Sequence, residues 1–323
     1  MILRSPLRRL AATLVPALAL GACTNGKLVV GSLYNRLDDR MMEQFAELGD
    51  FEERQRALFE ERVGTFHVWH RRTELPAYAR LIEDVAASIA DPGRTSVEDI
   101  ERWGERVERR AIAARECHPV NFSFELMRSL EDEQLDQIET TLARKREERR
   151  DRYDSRTPEE RVERRVRNVG KWSKRIGVEL TAAQNAMLRT AFTRQTSLRT
   201  EYFALSDRWR AEFFHLAREQ ESPDYEGRIA AHLDELWSLL ESEYPEQWER
   251  NRRLWAETGL RLVASLDTEQ RATLSAWLAK MGETLGAISR DEPSFVPGSD
   301  PSVGCLVGTA ASDRATAVSG PAG

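Results

Sequence analysis

The spacing of the apolar residues is the feature that most constrains how this chain folds. From Leu33 to about Ile288, large apolar side chains recur at intervals of three and four residues, as on one face of an α-helix, and not at two as in a strand. We therefore predict an all-α fold, an elongated multi-helix bundle with coiled-coil-like long helices. The three clearest stripes are Leu58, Phe59, Val63, Phe66, Trp69; Ile100, Trp103, Val107, Ala111, Ala114; and the heptad-like series Ala191, Gln195, Leu198, Tyr202, Leu205, Trp209, Glu212, Leu216.

Composition supports a folded helical body. Of 323 residues, 41% are hydrophobic and 32% charged, which is too apolar a mixture for a disordered chain. A mean hydropathy of -0.56 is too polar for a protein with several membrane spans. The 18 Gly and 12 Pro leave few turns for an all-β fold, and 3 Cys cannot build a disulfide scaffold. The length allows one large domain or two small ones.

Helix starts are marked by the capping-box spacing, in which a polar residue and an acid or amide three residues later bond each other's backbone N–H groups. The three clearest examples are Asp50 with Glu53, Thr157 with Glu160, and Thr181 with Gln184. Proline and glycine predict where helices end or kink. The predicted breaks are Pro76, 91–93, Gly170, Gly177, Pro245 and Gly259.

The first 22 residues are typical of a secretory signal peptide. Arg4, Arg8 and Arg9 precede a short apolar run, Leu10 to Leu20, which is about half the ~20 residues that a membrane-spanning helix needs. The sequence Leu-Gly-Ala-Cys ending at Cys23 resembles the bacterial lipobox. The resemblance implies cleavage before Cys23 and acylation of that residue, which would anchor the protein by its acyl chains. The alternative is an ordinary signal peptide with an incidental cysteine.

The chain divides by composition into four segments. We predict a signal peptide over 1–22, a lipidated N-terminus and spacer over 23–32, a helical domain over 33–290, and a disordered tail over 291–323, which is rich in Pro, Gly, Ser, Ala and Asp. Loss of three arginines with the signal peptide changes the net charge from -6 to -9. Cys117 and Cys305 could pair in an oxidising periplasm, but a partner in a disordered tail argues against a structural disulfide.

Several motifs together resemble an uncharacterised family of Gram-negative lipoproteins, domain-of-unknown-function family 6279, over about residues 17–288. The matching residues are Tyr34, Asn35, Leu37 and Asp38; Trp69, His70, Arg71, Glu74, Leu75, Pro76 and Tyr78; Leu130 with Gln134; Gly177, Leu180, Thr181 and Gln184; and, more loosely, Leu266 with Gln270. The chain departs from the family pattern at 50–55, where a capping sequence like LTPEQ is expected. The resemblance implies a helical lipoprotein and no known activity. The lipobox, separately, favours the periplasmic face of the outer membrane, since Thr24 follows Cys23 where an aspartate would favour inner-membrane retention.

A weaker resemblance links the Leu-Thr-x-x-Gln motif at Leu180–Gln184 to small periplasmic helical proteins that act as stress chaperones, adaptors or metal-sensing adaptors. The same five residues arise wherever a capping box follows an apolar residue, and we prefer this purely structural interpretation. The glutamines at 134, 184 and 270 are unevenly spaced, which excludes a tandem solenoid repeat.

The best candidate for a metal site is His67, His70 and Glu74, which would share one face of a regular helix. The order of the three residues is not the HExxH order of zinc peptidases. We favour a structural role instead: either His70 pairs with Glu74, or His70 is hydrogen-bonded where the helix meets Pro76, with Trp69 and Tyr78 packed beside it. We predict no metal and no cofactor. No nucleophile elbow or phosphate-binding loop occurs in the sequence, and we expect no enzymatic activity.

A basic segment spans residues 144–175, with 14 basic and 7 acidic residues. Interleaved charges at helical spacing are typical of a solvated helix face. Because arginine suits phosphate and carboxylate groups, we also expect an anionic envelope partner or the chain's own acidic helices here; nucleic acid is not expected in the periplasm.

We therefore expect an outer-membrane-anchored periplasmic lipoprotein that acts as a binding, adaptor or chaperone-like envelope component. The alternatives are a metal-responsive periplasmic protein that uses the two histidines and Glu74, or a cell-wall hydrolase with a glutamic acid catalyst.

Overall fold

The structure, a computed structural model, describes residues 26–91, 93, 95–119 and 123–292. The predicted signal peptide, Cys23, Cys305 and residues 293–323 of the predicted tail lie outside the described residues. Within that part of the chain all regular structure is helical and no strand occurs, which confirms the all-α class. The helices are α1 Gly26–Tyr34, α2 Leu37–Ala46, α3 Glu53–Trp69, a π-helical turn His70–Glu74, α4 Leu75–Ala90, α5 Val97–Glu116, α6 Phe124–Arg128, α7 Asp132–Asp154, α8 Pro158–Arg175, α9 Ala182–Arg194, α10 Arg199–Arg218, α11 Tyr225–Glu243, α12 Pro245–Ala264 and α13 Thr268–Arg290. None of these helices has the length and apolar character that crossing a membrane requires.

The helical body begins earlier than the sequence predicts. Helix α1 starts at Gly26, inside the segment expected to be a spacer up to residue 32. Val30 and Tyr34 of α1 are buried in the main core, and α1 packs against α13. The apolar side chains of a segment this short therefore suffice to fold it onto the body.

The main core lies where α1–α4 and the C-terminal half of α13 meet. It contains an aromatic stack in which the centroid of the Phe45 ring lies 3.9 Å from that of Phe51 and 4.1 Å from that of Phe59. Helix α13 packs along α4 so closely that a Cβ on Gly282 would lie 3.4 Å from the carbonyl oxygen of Ala79. The same Cβ would lie 3.1 Å from the Glu83 Cγ, so a larger residue at 282 would require the Glu83 side chain to move.

Smaller cores hold the remainder of the helices. Helices α8, α9 and α12 enclose one of them, and α10 and α11 pack against each other around two more. The buried residues of these three cores are Val166, Leu188 and Phe192; Met127, Leu216, Tyr225 and Ile229; and Leu198, Leu205 and Leu240.

The three predicted apolar stripes differ in outcome. The stripe on α3 is in the main core, whereas that on α5 is only half-buried and leaves Val107 51% exposed. The heptad-like series from Ala191 is not one helix, because α9 ends at Arg194 and α10 begins at Arg199. The Asn251 side chain bonds both the N–H and the carbonyl of Thr196 between them, which satisfies the backbone of the break.

Local signals for helix ends were mostly correct. The capping boxes of Thr157 and Thr181 are present. That of α3 uses Glu52 and Gln55, so the predicted pair Asp50 and Glu53 is wrong. Gly177 has a φ of 85° and ends α8, with the Val178 N–H donating to the Ser173 carbonyl. Gly170 and Gly259 lie inside helices, so those two predicted breaks are wrong.

Candidate functional site

Residues of the two N-terminal motifs meet in one polar group, which is buried at its centre and leaves Asn35 exposed at its edge. We call this the motif cluster; it consists of Tyr34, Asn35, Asp38, His67, His70 and Arg71. Tyr34, His70 and Arg71 are each 2% exposed. Helix α1 and the start of α2 supply half of these residues, and α3 with the π-helical turn supplies the others. The sequence segments that carry the family resemblance are therefore joined in space.

Arg71 links three parts of the chain. Its Nη2 donates to the Asn35 Oδ1 at 2.5 Å, and its Nη1 donates to the backbone carbonyl of Ile288 at 3.1 Å. Its guanidinium carbon lies 4.9 Å from the centroid of the Tyr34 ring. Ile288 is in the last turn of α13, whose carbonyl groups carry partial negative charge. A buried cation is thus stabilised by neutral acceptors, a helix C-terminus and an aromatic face.

The two histidines are held in their neutral form. The Tyr34 hydroxyl lies 3.1 Å from the His70 Nδ1 and donates to the His67 carbonyl at 3.5 Å. Burial, with a smaller contribution from the Arg71 charge, lowers the pKa of His67 to about 4, although Asp38 lies 3.9 Å from its Nδ1. Burial, then His67 and Arg71, lowers the pKa of His70 to about 3. The two histidines therefore add no charge to the cluster at neutral pH.

Glu74 lies apart from the histidines. Its side chain is 0% exposed, and its Oε1 accepts a hydrogen bond from the Arg110 Nη1 of α5 at 3.1 Å. Burial raises the pKa of Glu74, while Arg110 and the Tyr78 hydroxyl act in the opposite direction. The predicted pairing of Glu74 with His70 is therefore wrong, and Arg110 is a partner that the sequence did not reveal.

The cause is the π-helical turn. The Leu75 N–H bonds the His70 carbonyl five residues back, so the turn holds one residue more than an α-helical turn and rotates Glu74 off the face of His67 and His70. Pro76, which lacks an N–H, follows directly, as predicted for a kink at this point. The described residues contain no group of three or more His, Cys, Asp or Glu that could hold a metal ion. Leu37 and Leu75 complete the core around the cluster, and Trp69 packs half-buried at its side.

The Leu-Thr-x-x-Gln residues form a second buried polar group, far along the chain. Thr181 caps α9, and the Gln184 side chain returns to the Thr181 N–H. The Gln184 amide also bonds the amide of Gln270, the corresponding capping residue of α13. An equivalent pair, Gln55 with Gln134, joins α3 to α7. Local sequence predicted the caps and missed the pairing across helices.

Most of the basic segment 144–175 is engaged within the chain. Arg146 and Arg150 both bond Asp207 of α10, and Lys145 pairs with Glu47. On α8, however, four basic residues are exposed on the side opposite to the core: Arg164, Arg167, Lys171 and Arg175.

Comparison with known proteins supports the resemblance inferred from the motifs. The family of unknown function DUF6279 matches residues 47–245, which include the Trp-His-Arg stretch and the Leu180–Gln184 motif. No curated protein and no solved structure shows significant similarity to the chain. Since the match spans more than half of the sequence, the chain belongs to the DUF6279 family of unknown function.

Proposed function

We propose that this protein is a lipid-anchored envelope component at the periplasmic face of the outer membrane, which binds a partner and catalyses no reaction. The anchor is Cys23, and the helical body is the binding part. The observation that carries the proposal is the motif cluster, because it fastens the helix that follows Cys23 to the rest of the body.

The position of α1 supports an anchoring role. Gly26 is three residues beyond Cys23, a separation that an extended chain spans in about 10 Å. Tyr34 and Asn35 at the end of α1 bond His70 and Arg71, and Arg71 bonds the end of α13. A lipid on Cys23 would thus be coupled to a fixed body rather than to a long flexible spacer.

The burial of the motif residues supports a structural role for them. A catalytic acid must contact its substrate, and the carboxyl group of Glu74 is sealed from solvent and held by Arg110. A cell-wall polymer could reach Glu74 only after α5 moved away. The raised pKa of Glu74 follows from burial in the core, so a catalytic cleft is not needed to account for it.

Acylation and fractionation test the proposal. Wild-type protein labelled in cells with palmitate is expected to carry label and to sediment with outer membranes, whereas Cys23→Ala loses both properties. Cys305→Ala is the matched control and should behave as the wild type. Equal labelling of the wild type and Cys23→Ala would overturn the lipid anchor.

A further inference from the structure

Helix α8 displays an exposed row of positive charge, which we call the basic stripe: Arg164, Arg167, Lys171 and Arg175. The four residues follow one another at intervals of three and four, so they share one face of the helix. At a rise of 1.5 Å per residue the row is about 16 Å long. No acidic residue occurs from 164 to 175, whereas six basic residues do.

The opposite face of α8 fixes the direction of the stripe. Val162, Val166 and Val169 pack against Leu188 and Phe192, so α8 cannot turn the stripe inward without losing its core. The two other basic residues between 164 and 175 have partners within the chain. Arg165 bonds Gln195, and the exposed Lys174 pairs with Glu179. Among the described residues, none of the four stripe residues forms an ion pair with a carboxylate.

The helix that carries the stripe contacts α13, the helix against which the N-terminal helix packs. The Trp172 ring of α8 lies 5.7 Å from the Trp277 ring of α13, and Ile288, eleven residues further along α13, contacts α1 at Gly31. Eleven residues of helix are about 16 Å long. A lipid at Cys23 would therefore hold the stripe within a few nanometres of a bilayer surface.

We propose that the basic stripe of α8 docks the helical body on the anionic phosphate headgroups of the membrane. The proposal rests on the proposed anchor for its location and on the stripe alone for its chemistry. A guanidinium group can donate two parallel hydrogen bonds to the oxygens of one phosphate. Each Lys or Arg near an anionic membrane surface raises the affinity for that membrane about fivefold. At physiological salt, charges more than about 8 Å away are screened. The acid next to the stripe in sequence, Glu163, is bonded by Arg189.

Vesicle sedimentation tests the docking without the anchor. The chain from residue 23 onward, with Cys23→Ser, retains every described residue and carries no lipid. It is mixed with vesicles of phosphatidylcholine alone or with one third phosphatidylglycerol, at low and at physiological salt. We expect binding to the anionic vesicles only, decreasing as salt increases.

Two matched variants test whether the basic stripe causes the vesicle binding. Arg164→Gln, Arg167→Gln, Lys171→Gln and Arg175→Gln together should weaken binding at least tenfold. The control removes four exposed arginines on other helices, with Arg56→Gln, Arg80→Gln, Arg208→Gln and Arg253→Gln, and should change binding no more than about threefold. Arginine-to-lysine changes at 164, 167 and 175 should retain most of the binding, because they keep the charge.

Equal binding to both vesicle types, or an equal loss of binding in the two four-residue variants, would overturn the proposal. No binding at low salt would also overturn it and would leave an acidic protein as the partner of the stripe. Far-UV circular dichroism confirms that each variant is folded. Since no acyl chain is present, vesicle binding can succeed while the palmitate experiment fails, and the reverse, so the two proposals fail separately.

Discussion

Gln184 and Gln270 form a closed amide pair between the first turns of α9 and α13. The Gln184 Nε2 donates to the Gln270 Oε1 at 2.9 Å, and the Gln270 Nε2 donates to the Gln184 Oε1 at 3.0 Å. Each Oε1 also accepts the N–H of its own helix cap, and each Nε2 also donates to a backbone carbonyl across the interface, Ser265 or Glu179. Every hydrogen-bonding group of both amides is used.

The pair Gln55 and Gln134 repeats this arrangement between α3 and α7. The amides donate to each other at 2.9 and 2.8 Å, and their second donor hydrogens bond the carbonyls of Ser129 and Asp50. All four glutamines are buried. Glutamine is specifically suited to this position because glutamate lacks the donor hydrogens and alanine lacks the reach.

We predict that Gln184→Ala lowers the free energy of unfolding by about 2–4 kcal/mol, because it leaves buried groups of Gln270 without partners. Glu160→Ala is the control: Glu160 closes the same kind of cap on α8 but is exposed, and its loss should cost about 1 kcal/mol or less. Urea denaturation measures both. In a double-mutant cycle with Gln270→Ala we expect a coupling of at least about 1 kcal/mol, and strictly additive losses would show that the amides act separately.

Sequence predicted the caps because a cap is decided within four residues. The pairs join residues 79 and 86 positions apart, and no local pattern specifies such contacts. The sequence misplaces the cap of α3 because aspartate is a favoured capping residue and glutamate is not, which favours Asp50 over Glu52. All four glutamines share one pattern: an apolar residue, then the cap, then glutamine three residues after the cap. Phe51–Gln55 has this pattern, so the sequence does contain a signal for the fourth glutamine cap.

At the motif cluster, the sequence led us to expect that the motif residues are structural and that the helix kinks at Pro76. It did not identify the residues to which the motif residues bond. A regular helical wheel places Glu74 with the histidines, and the π-helical turn invalidates that wheel. The predicted spacer 23–32 includes most of α1, and a helix this short depends on packing against α13, which no local pattern specifies.

Arg71 and Arg72 offer a direct test of the cluster. Arg71→Ala should lower the free energy of unfolding by about 3 kcal/mol, since it removes two charge-assisted hydrogen bonds and leaves a cavity. Arg72→Ala, one residue away and exposed, should change it by less than about 0.5 kcal/mol. Limited proteolysis should cut Arg71→Ala first near Tyr34, where α1 is released. Cleavage elsewhere with Tyr34 still protected would contradict the fastening role of Arg71.

We predict that Arg110→Ala lowers the stability of the fold by an amount that depends on pH, because Arg110 bonds the buried Glu74. The folded-state pKa of Glu74 is already raised, and Arg110→Ala removes the nearby positive charge and raises it further. Above the unfolded pKa the unfolded carboxyl group releases its proton while the folded one retains it, so stability falls as pH rises. The melting temperature of Arg110→Ala should therefore lie further below the wild type at pH 8 than at pH 5.

The control is Arg106→Ala on the same helix. Its partner Asp84 is 55% exposed, so water solvates the remaining carboxylate and the loss should be small at both pH values. An equal deficit of Arg110→Ala at pH 5 and pH 8 would mean that Glu74 does not titrate in this range.

Zinc titration examines the metal alternative. The His70 Nδ1 bonds Tyr34, and Glu74 bonds Arg110, so a metal would have to displace both partners. We expect no rise in melting temperature with added zinc in the micromolar range. Binding of one zinc per chain by calorimetry, lost in both His67→Ala and His70→Ala, would instead establish a metal site.

The buried histidines predict a loss of stability in acid. Their folded-state pKa values, about 4 for His67 and about 3 for His70, lie below the value of 6.5 for an unfolded histidine. Between these values the unfolded chain binds protons that the folded chain does not, so stability is complete above pH 6.5 and decreases as pH falls toward 4. Each histidine contributes a slope of up to about 1.4 kcal/mol per pH unit. Glu74, with its raised pKa, acts in the opposite direction.

The combined change His67→Gln and His70→Gln should flatten this pH dependence, measured as the urea midpoint from pH 7 to pH 4. Some slope will remain because burial also lowers the pKa of His118 to about 4. His215→Gln is the matched control, since the His215 side chain is 64% exposed and its removal should leave the slope unchanged. If the doubly substituted chain loses stability in acid as steeply as the wild type, the motif cluster is not the group that responds to protons.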